Sequence, residues 1–90
     1  MVTVTERAKE KLKELLQGET DDPSLALRLA TAPSGEFGMF PDREREDDQI
    51  VEYQGAAVLV VGAEMVTAIG DATIDYDDSG PDRRLVMRHR

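Results

Sequence analysis

The residues of this chain whose type and spacing could do chemistry are few, and most of them are carboxylates. Asp75, Asp77, Ser79 and Gly80 follow the opening of a calcium loop, D-x-D-x-S-G. In such loops oxygen ligands come from positions one, three and five, and the sixth residue must be glycine. The twelfth position, where a bidentate glutamate would close the shell, is Val86, and Arg83 and Arg84 bring positive charge to where a cation would sit. The segment therefore reads as an acidic β-turn, with a hard divalent cation held by Asp75, Asp77 and Asp78 as the alternative. A second acidic pair, Asp47 and Asp48, lies in the run DREREDD from Asp42 to Asp48. That run reads as a solvated loop whose carboxylates are exposed and paired with Arg43 and Arg45, which argues against a metal site, with a hard divalent cation on Asp47 and Asp48 as the alternative.

Other chemistries are excluded by counts. The 90 residues contain no cysteine, so there is no disulfide framework, no thiolate nucleophile, no cysteine-ligated zinc and no self-made thiolate cage for an iron-sulfur cluster. The lone histidine, His89, sits beside the last residue, where a general base is poorly fixed. Neither G-x-x-x-x-G-K-[ST] nor G-x-G-x-x-G occurs, so no phosphate cradle is legible. The chain reads as a non-enzyme with no cofactor and no metal of its own. Its net charge of -8 argues against duplex DNA or RNA, which is bound by Lys and Arg displacing counterions. No signal peptide is visible and no apolar run approaches the roughly 18 residues of a spanning helix, so no membrane association and a cytoplasmic location are expected. Against the acidic body stands a basic end, Arg83, Arg84, Arg88, His89 and Arg90. It reads as docking onto the protein's own acidic surface or a second copy, with an acidic partner as the sharper alternative.

The elements that must position these residues are short. Val2 and Val4 alternate with threonines in an opening strand, and Thr5, or Thr3 with Glu6, offers the cap of a helix over Glu6 to Gln17. Ala8, Leu12, Leu15 and Leu16 form its apolar stripe and Gly18 its left-handed stop. Ser24 to Thr31 alternates as a half-buried strand, which Pro33, Ser34 and Gly35 break. Phe37, Gly38, Met39 and Phe40 follow as a compact apolar patch in a loop. Gln49 to Tyr53 reads as a strand turning at Gln54-Gly55 into the β-branched run Ala57 to Val61, which is apolar throughout and so predicted to be covered on both faces. Ala63, Val66 and Ile69 give a short helix stopped by Gly70. Ala72, Ile74 and Tyr76 alternate with Thr73, Asp75 and Asp77, the latter on a polar outer face, and Leu85 with Met87 marks a final strand. About six strands and two helices make one α+β domain over residues 1-90 whose sheet must curl around a small core.

With these residues in view, the chain resembles the A-type iron-sulfur carriers, the HesB-like family. The likeness runs from about Val2 to Val86 through VTVTERAKEKLKELL, SLALRLA, EDDQIVEYQGAAVLVV and VTAIGDATIDY. It implies a small β-rich pseudobarrel of curled sheets with an N-terminal helix and a short second helix, and a tendency to self-associate. The family ligates iron or a cluster through a cysteine in a G-G-C-S-G-F-like loop and a C-G-C pair near its C-terminus. Here the corresponding loop, Thr31 to Gly38, reads TAPSGEFG, and the chain ends at Arg90, about where the C-G-C tail would begin. No ligand of the family can therefore be carried to a position in this sequence. The expectation is a cysteine-less member acting as an accessory or protein-interaction module, with Ser34, Glu36, Phe37, Met39 and Phe40 as its partner-contact loop.

Overall fold

The computed structural model describes residues 2–31, 33–34, 37–77 and 84–89. Val2–Val4 forms β1 with both valines buried. Thr5 ends it and caps α1, Glu6–Glu19: its backbone is extended and its hydroxyl accepts a hydrogen bond from the Ala8 N–H. The helix buries Ala8 and Leu12 completely but leaves Leu15 41% exposed, so the inward stripe is narrower than the spacing predicts. Gly18 is not a left-handed stop. The helix runs through it to Glu19 and closes at Thr20, whose N–H returns to the Leu16 carbonyl.

Four strands form one sheet: β2 (Leu25–Thr31), β3 (Phe37–Arg43), β4 (Gln49–Tyr53) and β5 (Ala56–Val61), in the order β3-β2-β5-β4. The β4–β5 hairpin turns on Gln54 and Gly55, both with positive φ (54° and 81°), as an Asn-Gly-like primed turn requires. A short α2, Ala63–Ile69, stops at Gly70, φ 70°. β6 (Ala72–Asp77) then pairs parallel with β1 and antiparallel with β7 (Arg84–His89), giving a second sheet β1-β6-β7. The α+β class expected from the sequence is the one observed. Val58, Leu59, Val60 and Val61 are all at most 1% exposed, so β5 is covered on both faces as its composition predicts. The core gathers Val2, Val4, Leu12, Leu27, Leu29, Leu59 and Ile74 beneath α1.

Two further expectations fail. Among the described residues there are seven strands, the additional one being Phe37–Arg43, which the sequence reading divides between an apolar loop and a charged loop. Gly38, Pro41 and Asp42 are poor strand formers, but pairing with β2 along all seven residues overrides local preference. At a sheet edge the missing N–H of Pro41 is tolerated. Likewise β2 is not half-buried: Ala26, Leu27, Arg28 and Leu29 are consecutively buried.

The two sheets meet at two seams of different character. At one, the side-chain amide of Gln49 at the start of β4 takes the place of a neighbouring strand for β1. It accepts from the Val2 N–H (2.9 Å) and donates to the Val2 carbonyl (2.6 Å). At the other, β3 and β7 are both edge strands. Replacing Gln49 by Leu keeps the bulk and deletes both bonds, so it should lower the unfolding free energy by about 1–3 kcal/mol, read as a lower urea midpoint with unchanged slope.

Candidate functional site

Of the acidic residues singled out from the sequence, Asp48 and Asp75 have buried side chains, and each answers to an arginine. Arg28, in the middle of β2, is 8% exposed between the short side chains of Ala26 and Ala30 on the same face of the strand. Its guanidinium donates four hydrogen bonds. They run from Nε to Asp42 Oδ2 (2.6 Å), from Nη1 and Nη2 to Asp48 Oδ1 and Oδ2 (3.0 and 2.7 Å), and from Nη2 to the Arg43 carbonyl (2.9 Å). The sequence reading of Asp48 as exposed is therefore wrong, as its side chain is 3% exposed. The pairing through Arg43 and Arg45 is also secondary. Arg45 reaches Asp42 at 3.4 Å, while the Arg43 guanidinium lies at 3.5 Å from Ser24 Oγ. Hydrogen bonds from Arg28 hold both Asp48 and Asp42 below the usual carboxylate range. Removing this cation leaves the buried Asp48 carboxylate, and the partly exposed Asp42 carboxylate, without their main partner. Arg28→Met should cost about 3–5 kcal/mol in urea unfolding, whereas adding Asp48→Asn to it should recover part of that loss.

Asp75 is not on a polar outer face either; it is 5% exposed. The start of α1 lies over it, and its oxygens are occupied. Oδ1 accepts from Thr5 Oγ1 (2.7 Å), Arg7 Nε (2.9 Å) and the Tyr76 N–H (2.8 Å); Oδ2 accepts from Arg7 Nη2 (2.9 Å) and Arg88 Nη1 (3.4 Å). A cation at this carboxylate would have to displace two guanidinium groups. Asp77 ends β6, and Asp78, Ser79 and Gly80 lie outside the described residues. Among the described residues no three His, Cys, Asp or Glu side chains gather as a metal set. The Arg7 hydrogen bonds, then that of Thr5, hold Asp75 far below the ordinary carboxylate range. A depressed carboxylate stabilises the fold fully above its unfolded pKa, about 3.9, and the contribution is lost as pH falls below that value. Asp75→Asn should therefore lower stability at neutral pH and flatten the loss of stability below about pH 4, measured by urea titration across pH.

The residues expected at a partner contact separate in space. Phe37 and Met39 line a groove of about 300 Å³ at the β3–β7 seam, together with Leu29 and Ile74 from the core and Leu85 and Met87 from β7. Phe40 alternates to the opposite face, beside Arg28 in register, and is 47% exposed, as is Phe37. Ser34 is exposed in the turn before β3, and Glu36 lies outside the described residues. The β7 half of the groove was missed from sequence. The inward alternation of Leu85 and Met87 is legible, but nothing local says which edge of the other sheet they face.

No family model matches the chain. Relatives do. The iron-sulfur cluster insertion protein ErpA of Francisella tularensis subsp. novicida is 31% identical over 93 residues, covering 98% of this chain and 78% of that protein. ErpA of Marinobacter nauticus is 30% identical over 94% of this chain and 80% of its own length. Among solved structures, Escherichia coli SufA, involved in biosynthesis of iron-sulfur clusters, superposes with a TM-score of 0.66 at 23% identity, over 97% of this chain and 83% of that one. IscA with the [2Fe-2S] cluster gives 0.61 at 16% identity, over 98% and 84%. The fold is thus shared with both structures, and identity to the insertion proteins along nearly the whole length establishes that this chain belongs to the A-type, HesB-like iron-sulfur cluster assembly family, as a member without cysteine.

Proposed function

We propose that this protein keeps its family's scaffold without holding a cluster on its own side chains, and works in the cytoplasm as a single-domain, non-enzymatic accessory or interaction module. The observation that carries this reading is the donor set. These 90 residues offer no thiolate, and soft iron-sulfur centres are held by thiolates. Where the resemblance places a ligand loop, Thr31 to Gly38, the described residues contribute the exposed hydroxyls of Thr31 and Ser34, and the half-buried thioether of Met39 follows it. A hydroxyl is a hard donor, and a neutral thioether in an apolar groove offers no charge to balance iron. An iron-sulfur cluster does not fit this set. The reading as a divalent-cation binder loses its main ligand, since Asp75 already accepts from Thr5, Arg7 and Arg88.

What remains for the β2–β3 turn and β3 is contact. Ser34, Glu36, Phe37, Met39 and Phe40 are the residues of the proposed partner contact, with Phe37 and Met39 on the groove face of β3 and Phe40, 47% exposed, on its opposite face. An exposed aromatic and a methionine beside an apolar groove are the composition of a protein-binding patch. Its net charge of -8 disfavours nucleic acid, and among the described residues no helix is long and apolar enough to cross a membrane.

Anaerobic reconstitution with ferrous iron and sulfide, followed by desalting, visible absorbance and metal analysis, tests the reading. The expected product is colourless with iron far below one equivalent. A brown protein retaining stoichiometric iron and sulfide would refute it.

A further inference from the structure

At the seam between β1 and β4 the Gln49 amide completes the edge. At the seam between β3 and β7, among the described residues, neither strand has a neighbour on its outer side. The floor between them is apolar, made of Leu29, Met39, Ile74, Leu85 and Met87, and its volume of about 300 Å³ is enough for several side chains. Unpaired strand edges bordering an apolar trough are the requirements for adding an extended peptide: main-chain bonds along the edge and pockets for alternate side chains.

The side chains that β7 places on the rim of this seam are basic, and each stands against a carboxylate of β6: Arg84 is in register with Asp77, and Arg88 reaches Asp75. None of the lining residues is acidic, and the lining run Leu85 to Met87 is bracketed by Arg84 and Arg88, both exposed, in a chain of net charge -8. Arg88 approaches Asp75 only at 3.4 Å and its side chain is 62% exposed, whereas Arg7 holds Asp75 with two bonds of 2.9 Å. Arg88 can therefore turn outward without stranding the carboxylate. At physiological ionic strength charges are screened beyond about 8 Å, so an occupant senses these rim arginines, with Asp77 beside Arg84, more than the acidic residues elsewhere on the molecule.

We propose that the β3–β7 groove receives an extended protein segment in which acidic residues alternate with bulky apolar ones, added as a strand along β7 with its carboxylates on Arg84 and Arg88. The proposal rests on the reading of this protein as an interaction module and names the chemistry of its partner. A basic partner, which the net charge alone would suggest, sets like charges side by side at the rim.

The probe is a fluorescein-labelled nine-residue peptide alternating Glu with Val and Leu, compared with its Lys-for-Glu counterpart by fluorescence anisotropy on the intact protein. The acidic peptide should saturate and the lysine peptide bind about tenfold more weakly or not at all. Arg84→Glu should weaken the acidic peptide by about tenfold, Arg84→Gln by less, and Phe37→Ser should weaken it with the melting temperature unchanged. The proposal fails if the lysine peptide binds as tightly, if neither binds, or if Arg84→Glu has no effect in a protein that melts normally. It fails equally if sedimentation shows a dimer that Arg84→Glu dissociates, since the groove would then belong to a second copy. A colourless reconstituted protein that ignores the acidic peptide sinks this inference alone and leaves the accessory reading standing.

Discussion

One guanidinium sets the path of the chain. β2 and β5 run parallel, and β3 and β4 are antiparallel to them at opposite edges, so β3 and β4 point the same way. The residues between Arg43 and Gln49 must cross the sheet. Arg28 holds both ends of that crossing, with Asp42 and the Arg43 carbonyl at its start and Asp48 at its finish. Such a cation is tolerated in the interior because four of its N–H groups are engaged and two carboxylates share its charge. Its geometric effect is to hold β3 at the edge of the sheet, which places Phe37 and Met39 at the groove.

The second sheet is secured by the same kind of device. Asp75 on β6 anchors the start of α1 through Thr5 and Arg7, and Arg88 of β7 reaches it more loosely, at 3.4 Å. Thr5 has two roles, since its hydroxyl donates to Asp75 and accepts from the Ala8 N–H. A chain of this length buries a smaller share of its surface than a larger domain, so its core is limited. Polar staples that bridge distant segments supply geometric definition that a small apolar core alone would leave loose.

Scaffold and chemistry separate cleanly in this molecule. The core residues, the Gln54-Gly55 hairpin and the arginine staples require no thiol, so the fold does not depend on cysteine. Fold membership consequently says little about what the protein holds, and the site must be argued from its own donors. The same distinction applies to Asp75. In sequence it opens a calcium-like motif; in space it is an anchor whose lone pairs are already committed.

By itself the sequence determined what depends on neighbours within a few residues. The Thr5 cap follows from a hydroxyl just ahead of an amphipathic run, the primed turn from Gln54-Gly55, and the doubly covered β5 from an unbroken β-branched stretch. The missing cysteines determined the absent thiolate chemistry. Only the tertiary structure decided the rest. The strand Phe37–Arg43 exists because β2 pairs with it, not because Gly38 and Pro41 favour it. The burial of Asp48 and Asp75 depends on Arg28, twenty residues away, and Arg7, sixty-eight residues away. The groove joins Met39 to Met87 across two sheets. Side-chain alternation tells which residues share a face, but the identity of the facing element is set by long-range pairing, and a local pattern carries no information about that partner.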